Sequence, residues 1–401
     1  MAIENVILFI GIALTLGFVI GTITHHLRLT AIVGYIVAGI LLGPAFHVVE
    51  LSSHETNIIV SFTLGLIAFI IGGSFTIDFL KKLGKSSIVI TLIQSFATFL
   101  IITLGVFLFT RDWAMSLLLG SIGVATAPAG TIAALHDCNV RRGTLSKMTT
   151  AIVGLDDGVA IIFFVIAIAL VKVILGDALS VSSIFIRPLI EILGAVALGI
   201  AIGTLLAYSA KKVKGRESIL VMSLAGILIC VGLAEIFHFS SILACMFLGA
   251  TFINLVPRIG RTFFEIVESI LPPIYIIFFI VAGLKLRPDL LIEVGIIGFI
   301  YIGCRIIGKM GGAFFGSKLV KAEPFVQKYL GLALLSQAGV AVGLAVTVAG
   351  ELSAYGEVGA DFGAMTITII AATTVVFEII GPIGVRYAVN RAGEVESLNA
   401  Y

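Results

Sequence analysis

The sequence predicts an all-α polytopic membrane protein with thirteen membrane-spanning helices. Three observations carry that expectation: an apolar composition, apolar runs of spanning length along nearly the whole chain, and a regular alternation of basic and non-basic links. Hydrophobic residues make up 59% of the 401, charged residues only 12%, and the mean hydropathy is +1.20. A soluble domain carries about 25% charged residues. The composition excludes an ordinary soluble enzyme and a disordered chain. The net charge of +2 supplies no field for attracting a polyanion, so nucleic acid is not an expected partner.

Runs of about 18 or more apolar residues are read as spanning helices. Breaks at charged or turn-rich positions give spans at 4–24, 30–48, 57–79, 87–109, 113–135, 146–172, 184–209, 217–237, 240–255, 263–284, 289–317, 325–349 and 361–385. The N-terminus has no basic stretch and no small-residue cleavage site, so the first run reads as a retained helix. The links are short. Lysine and arginine set orientation in such links. The odd-numbered links and the C-terminal end hold 18 of these residues, and the even-numbered links hold 5. That bias predicts an outside N-terminus and a cytoplasmic C-terminus. Cys138, Cys230, Cys245 and Cys304 have no metal-site or disulfide-framework spacing. His25 and His26 read as a solvated turn, Asp78 as an interfacial charge, and Glu191 and Glu235 as acids near outer helix ends.

Some charges interrupt the apolar runs. A charged side chain at the bilayer centre costs about 2.5–3.5 kcal/mol on insertion scales, and such residues face the protein interior or water. The sixth span places Asp156 and Asp157 side by side with apolar or small residues around them. The eleventh carries Arg305 and Lys309, four apart and so on one helix face; either is also able to snorkel to an interface. The thirteenth carries Glu378 just before Pro382, either as a structural partner for a buried cation or as part of the site. At about 1.5 Å per residue from the nearest cytoplasmic cation, Asp156, Lys309 and Glu378 fall near one depth.

Two other spans are interrupted. Pro128, flanked by Thr126, Gly123 and Gly130, breaks the fifth; Ser336, Gln337 and Gly339 break the twelfth. Proline removes a backbone donor and clashes with the preceding turn. Unwound backbone inside a membrane is tolerated only where protein buries it or it lines a cavity. Singly, Pro128 reads as a kink and Gln337 as a packing contact. Together they give spans 4–6 and 11–13 matching layouts with opposite direction through the bilayer, an inverted repeat of the kind that builds transporter sites.

With these residues in view, the chain resembles a monovalent cation:proton antiporter of the family that includes the Kef-like and Nap-type sodium/proton exchangers. The matching stretches are LRLTAIVGYIVAGILLGP at 27–44, ATAPAG at 125–130, GLDDGVAI at 154–161, GKMGGAFFGSKL at 308–319, SQAGVAVGL at 336–344 and FEIIGPIGVRYAV at 377–389. The resemblance implies the sodium/proton antiporter fold with two crossing broken helices. It implies a dimerisation domain in two parts, 1–79 and 217–284, and a linker helix at 184–209. It implies a core in two repeats, 87–172 and 289–389, and a cytoplasmic tail at 390–401. It makes Asp157 the main cation and proton carrier, with Asp156 beside it and paired with a basic residue of the eleventh span. The motif places that residue at Lys309, with Arg305 left as the other candidate and Glu378 as a further charge partner. Thr126 and the carbonyls around Ala127 would help bind the ion. A sister family has an acid where Ala127 stands, so direct side-chain ligation at 127 is not expected.

The function implied is exchange of Na⁺, with K⁺ or Li⁺ as alternatives, for H⁺ by alternating access, with electrogenic stoichiometry. No cofactor is expected beyond the transported ions. The expected partners are the ions, the bilayer and a second copy of the chain, and the expected location is the inner (plasma) membrane of a prokaryote. A sodium-coupled organic-anion symporter of the same fold is the alternative; it needs a roomy cavity and polar sodium ligands. An intramembrane aspartyl protease needs two carboxylates converging on one water, and neighbours on a helix point about 100° apart.

Overall fold

The computed structural model describes residues 5–26, 31–46, 48–49, 52–138, 140, 143–177, 181–213, 215–285 and 291–395. Among the orientation residues, Arg28, Arg141, Arg142, Lys214 and Arg287 lie outside these, as do 396–401 of the expected tail. Sixteen α-helices follow in order: α1 (Val6–His26), α2 (Ala31–Ile40), α3 (Ser53–Ser74), α4 (Ile77–Thr110), α5 (Trp113–Ile122), α6 (Pro128–Asp137), α7 (Thr144–Lys172), α8 (Val181–Ala210), α9 (Arg216–Ile236), α10 (Ser241–Leu255), α11 (Pro257–Glu268), α12 (Leu271–Leu284), α13 (Leu291–Leu319), α14 (Pro324–Ala333), α15 (Gly339–Glu351) and α16 (Gly356–Arg391). No strand longer than the single Val140–Val395 bridge occurs among the described residues.

Eight of these helices are long and apolar enough to cross a membrane alone, and the bent pair α11–α12 makes nine. The other four expected spans rest on shorter apolar helices (α2 with its π-helical extension through Ala45, and α10) or on helices broken midway (α5–α6 and α14–α15). Two expected links are helical instead. Arg258 and Arg261 lie within α11, an amphipathic helix bent by 51° from α12. Lys81, Lys82 and Lys85 lie within α4, whose regular course is interrupted at Gly84 (φ +70°), a conformation that glycine adopts without steric cost. Pro382 sits inside α16 without ending it. It leaves the helix short of one backbone donor, toward the Glu378 carbonyl.

The chain divides into two compact units: residues 1–80, 168–287 and 346–364 form one, and residues 81–167, 288–345 and 365–401 the other. In the first unit, glycines set the helix spacing. A Cβ on Gly39 of α2 would fall 2.7 Å from the Cα of Gly283 on α12, and one on Gly283 would fall 2.8 Å from the Cα of Gly39. Small residues of this kind let membrane helices approach closely. Phe69 of α3 stacks on Phe264 of α11 at 4.4 Å between ring centroids. The far ends of α7 and α15 are joined by a Lys172–Glu351 ion pair at 2.6 Å.

The second unit is built on the same principle. Gly308, Gly312 and Gly316 form a stripe on α13 that meets α4. Cβ atoms there would fall 2.7 Å from the Cα of Thr98, 2.6 Å from the Cα of Gln94 and 3.1 Å from the Cα of Ile90. A core of Ile90, Leu145, Ile152, Ala313, Val326, Leu330, Val385 and Val389 closes one end. There the buried Glu394 carboxylate accepts hydrogen bonds from the amides of Leu145 (2.7 Å) and Ser146 (2.9 Å), capping the start of α7.

Candidate functional site

Both breaks fall in the second unit. Helix α5 stops at Ile122, residues 123–127 leave helical geometry, and α6 restarts with Pro128 at its first turn. That is where a missing N–H is tolerated, because the first turn has no intrahelical partner for it. Helix α14 stops at Ala333, residues 334–338 are irregular, and α15 starts at Gly339. The two irregular segments meet: the Ala127 amide donates to the Ser336 carbonyl at 3.0 Å. Helix α16 presses on this meeting point at Gly381, where a Cβ would fall 2.6 Å from the Cα of Ser336.

Two helix C-termini thus converge, each with unpaired carbonyls and a partial negative charge. Arg305, fully buried on α13, answers both. Its Nε donates to the Gly123 carbonyl (3.0 Å). One terminal nitrogen donates to the Leu335 carbonyl (2.7 Å), the other to the carbonyls of Ala125 (2.7 Å) and Ser336 (3.3 Å). The flat fork of a guanidinium suits this spread of acceptors. The Phe377 ring lies 4.3 Å from the guanidinium carbon. Tyr301, one turn before Arg305, accepts a 2.7 Å hydrogen bond from the Gln337 side-chain amide. Arg305 is therefore bonded to backbone carbonyls of the breaks and not to a carboxylate. Glu378 is buried on α16, one residue beyond Phe377.

Lys309, one turn further along α13 and also fully buried, takes the carboxylate. Its ammonium donates to Asp156 Oδ2 (2.8 Å), Thr126 Oγ1 (2.7 Å) and the Val124 carbonyl (2.6 Å), using all three protons. The Thr126 hydroxyl in turn donates to Asp156 Oδ2 at 2.6 Å. Lys309, not Arg305, is the ion-pair partner of Asp156. Of the carbonyls around Ala127, where ion ligands are expected, that of Ala127 accepts from the Thr131 hydroxyl at 3.0 Å, and those of Gly123, Val124 and Ala125 just before it accept from Arg305 and Lys309.

The two aspartates differ sharply. Asp156 has both oxygens engaged, because Gln94 and Ser95 of α4 donate to Oδ1. Asp157 is 4% exposed and makes no side-chain hydrogen bond among the described residues; its Oδ1 is buried without a partner. Successive residues on a helix point about 100° apart, so the two carboxylates face different surroundings. No group of three or more His, Cys, Asp or Glu suited to a metal occurs among the described residues. The acids expected at outer helix ends, Glu191 and Glu235, line a cavity of about 1090 Å³ in the first unit.

Gln94, Ser95, Tyr301 and Phe377 were not among the expected site residues. Gln94 carried a usable signal: it interrupts an apolar run in the fourth span as Gln337 does in the twelfth.

Crossed broken helices, two buried cations on one helix face and two buried acids, within an all-helical membrane protein, define a secondary transporter of ions. The model of the sodium/hydrogen exchanger family, "Sodium/hydrogen exchanger, transmembrane", matches residues 11–390, and the chain belongs to that family of monovalent cation:proton antiporters. The chain is similar to the sodium proton antiporter MjNhaP1 from Methanocaldococcus jannaschii in its structure at pH 8. The TM-score is 0.74 at 19% identity, covering 96% of this chain and 98% of that one. Against the electron-microscopy structure of the same antiporter the TM-score is 0.72 at 19% identity, covering 98% and 99%. These likenesses establish the fold. No curated protein sequence matches significantly.

Proposed function

We propose that the chain exchanges a monovalent cation for protons, with Na⁺ the first candidate and K⁺ and Li⁺ the others, and that Asp157 is the group that carries them. The observation behind this reading is the contrast between a saturated Asp156 and a buried Asp157 with an oxygen left unfilled. Hard cations prefer carboxylate and carbonyl oxygens. A protonated Asp157 offers no charge to a cation, and a cation on Asp157 displaces the proton. Occupancy is therefore exclusive, and exchange follows when the site opens to one side of the membrane at a time. Asp156, Thr126 and Lys309 hold the carrier's surroundings, and Arg305 holds the crossing.

The reading includes electrogenic exchange, two protons per cation, with Lys309 as the source of the second proton. It places a homodimer in the inner membrane of a prokaryote, N-terminus outside and C-terminus in the cytoplasm. An organic-anion symporter would need a cationic group free to meet its substrate, and both Arg305 and Lys309 are fully engaged.

In proteoliposomes, a Na⁺ gradient drives proton flux, and Asp157→Asn abolishes it. Because proton and cation compete, lowering the pH raises the apparent KM for Na⁺ and leaves the maximal rate at saturating Na⁺ unchanged. Normal flux in Asp157→Asn would sink the reading. An imposed membrane potential changes the flux if two protons move per cation; indifference to potential would refute the stoichiometry alone.

A further inference from the structure

We propose that Gln94 is a positioning residue of the exchange site: by occupying Oδ1 of Asp156 it withholds that carboxylate from the cation and leaves Asp157 as the one that binds it. The inference rests on the exchanger reading above and adds a residue from α4, a helix outside the crossing and outside the acid-bearing α7.

Gln94 is fully buried. Its side-chain nitrogen donates to Asp156 Oδ1 and to Ser95 Oγ (2.9 Å), while Oε1 is buried with no partner among the described residues. The opposite amide orientation would set an acceptor against a carboxylate, so the nitrogen must face Asp156. An orphaned carbonyl is unfavourable, and the fold tolerates one here while directing the donor at Asp156. The surrounding helices are arranged to bring it there. Gly312 of α13 lets the backbone at Gln94 approach, and Gly308 does the same at Thr98, one turn along. The same stretch of α13 carries Lys309, which takes Oδ2 with Thr126. One glycine-lined contact thus fills both oxygens of Asp156 from two sides. Asp157 has no such partners.

Removing the donor frees Oδ1 for the cation. The cation then has a second carboxylate to bind on another face of α7, so its overall affinity for the protein rises and its release slows. Gln94→Met keeps the length and removes the donor; Gln94→His keeps an N–H. In Na⁺-driven proton flux, Gln94→Met is expected to lower the KM for Na⁺ by about threefold or more and kcat by about tenfold, with Gln94→His closer to the parent in both. A merely structural role would lower kcat or yield and leave KM in place, so an unchanged KM in Gln94→Met overturns the proposal. A second measurement covers a variant that fails to fold. Na⁺ stabilises the parent protein against heat as any ligand of the folded state does. Asp157→Asn is expected to lose that stabilisation, because Asp156 is already filled. Undiminished stabilisation of Asp157→Asn by Na⁺ overturns the proposal. Absence of exchange by the parent protein would sink the exchanger reading instead, so the two failures are distinguishable.

Discussion

The Asp156–Lys309 pair offers the sharpest energetic test of the site. Both side chains are 0% exposed and 2.8 Å apart, so solvent screening, which makes surface pairs nearly worthless, does not apply. Removing one partner of a buried pair strands an uncompensated charge and costs about 3–5 kcal/mol, whereas replacing both is often close to neutral. Lys309→Met leaves the Asp156 carboxylate with Gln94, Ser95 and Thr126 but no counter-charge. Asp156→Asn leaves the Lys309 ammonium facing a neutral amide. In the double variant the new amide accepts from Gln94 and donates to Thr126, so no charge is stranded and only the Val124 carbonyl loses its donor. An unfolding entropy of about 2.1 cal/mol/K per residue over 401 residues makes 3–5 kcal/mol a fall in Tm of roughly 4–6 °C. Each single variant is expected to show that fall in detergent, and the double variant to fall by only about 1–4 °C for the unpaired Val124 carbonyl, well short of the sum of the two singles. The coupling energy of the cycle is then about 3 kcal/mol or more, the upper end for residues in contact. Additive single and double shifts would refute the reasoning, because they would mean that the two charges do not compensate each other.

Three further outcomes follow from the same contacts. Arg305→Lys has three donors for four carbonyls at two breaks; with at least one left unpaired at about 1–3 kcal/mol, Tm is expected to fall by about 1–4 °C, and a shift below 1 °C would contradict the bridging role. Gly381→Ala drives a methyl into the Ser336 backbone and is expected to cost about 1–3 kcal/mol as overpacking and to slow exchange. Gly303→Ala on α13 meets nothing within 4 Å and serves as the silent control; equal effects would refute the packing argument. Glu394→Gln keeps one acceptor of two and loses the charge at the start of α7, at a cost of about 1 kcal/mol. Hydrogen exchange at the Leu145 and Ser146 amides is expected to speed up, and unchanged protection would rule out the cap.

Polarity out of place made much of this site visible in the sequence. Asp156, Asp157, Arg305, Lys309 and Gln337 each stand in an apolar run long enough to span a membrane, where every polar group needs a reason. Pro128 and Gly339 announced backbone breaks, and the structure starts helices α6 and α15 at those residues. Spacing along a helix could bring Lys309 and Asp156 to one depth but could not say which cation met the carboxylate. That depends on rotation about α13, which is set by where Gly308, Gly312 and Gly316 press on α4. Gln94 escaped because an uncharged amide in an apolar run is a weaker signal than a charge. Glu394 escaped for a different reason. It follows α16 at the polar end of the chain, and only the fold brings it back to the first turn of α7. The helical character of 80–83 and 257–262 was hidden by their lysines and arginines, which mark water contact and not the absence of a helix.

The charge arrangement also explains why the crossing needs two cations. Each of α5 and α14 ends with a partial negative charge of roughly half an elementary unit, and each of α6 and α15 begins with a matching positive one. These four ends cancel as dipoles, but the last carbonyls of α5 and α14 still require donors. Arg305 supplies them without meeting an acid. Lys309 then balances Asp156, and Asp157 makes no side-chain hydrogen bond or ion pair among the described residues. With Arg305 and Lys309 charged and both acids ionised, the four side chains sum to zero. One proton or one cation on Asp157 raises that sum by the same single unit. The two loaded states are then electrostatically equivalent to the surrounding low-dielectric protein, which favours one in place of the other. In the proposed two-proton cycle Lys309 gives up the second proton when the cation binds, and its three acceptors at Val124, Thr126 and Asp156 are what hold that proton. In the exchange proposed above, stoichiometry is set at Lys309 and the carrier is Asp157.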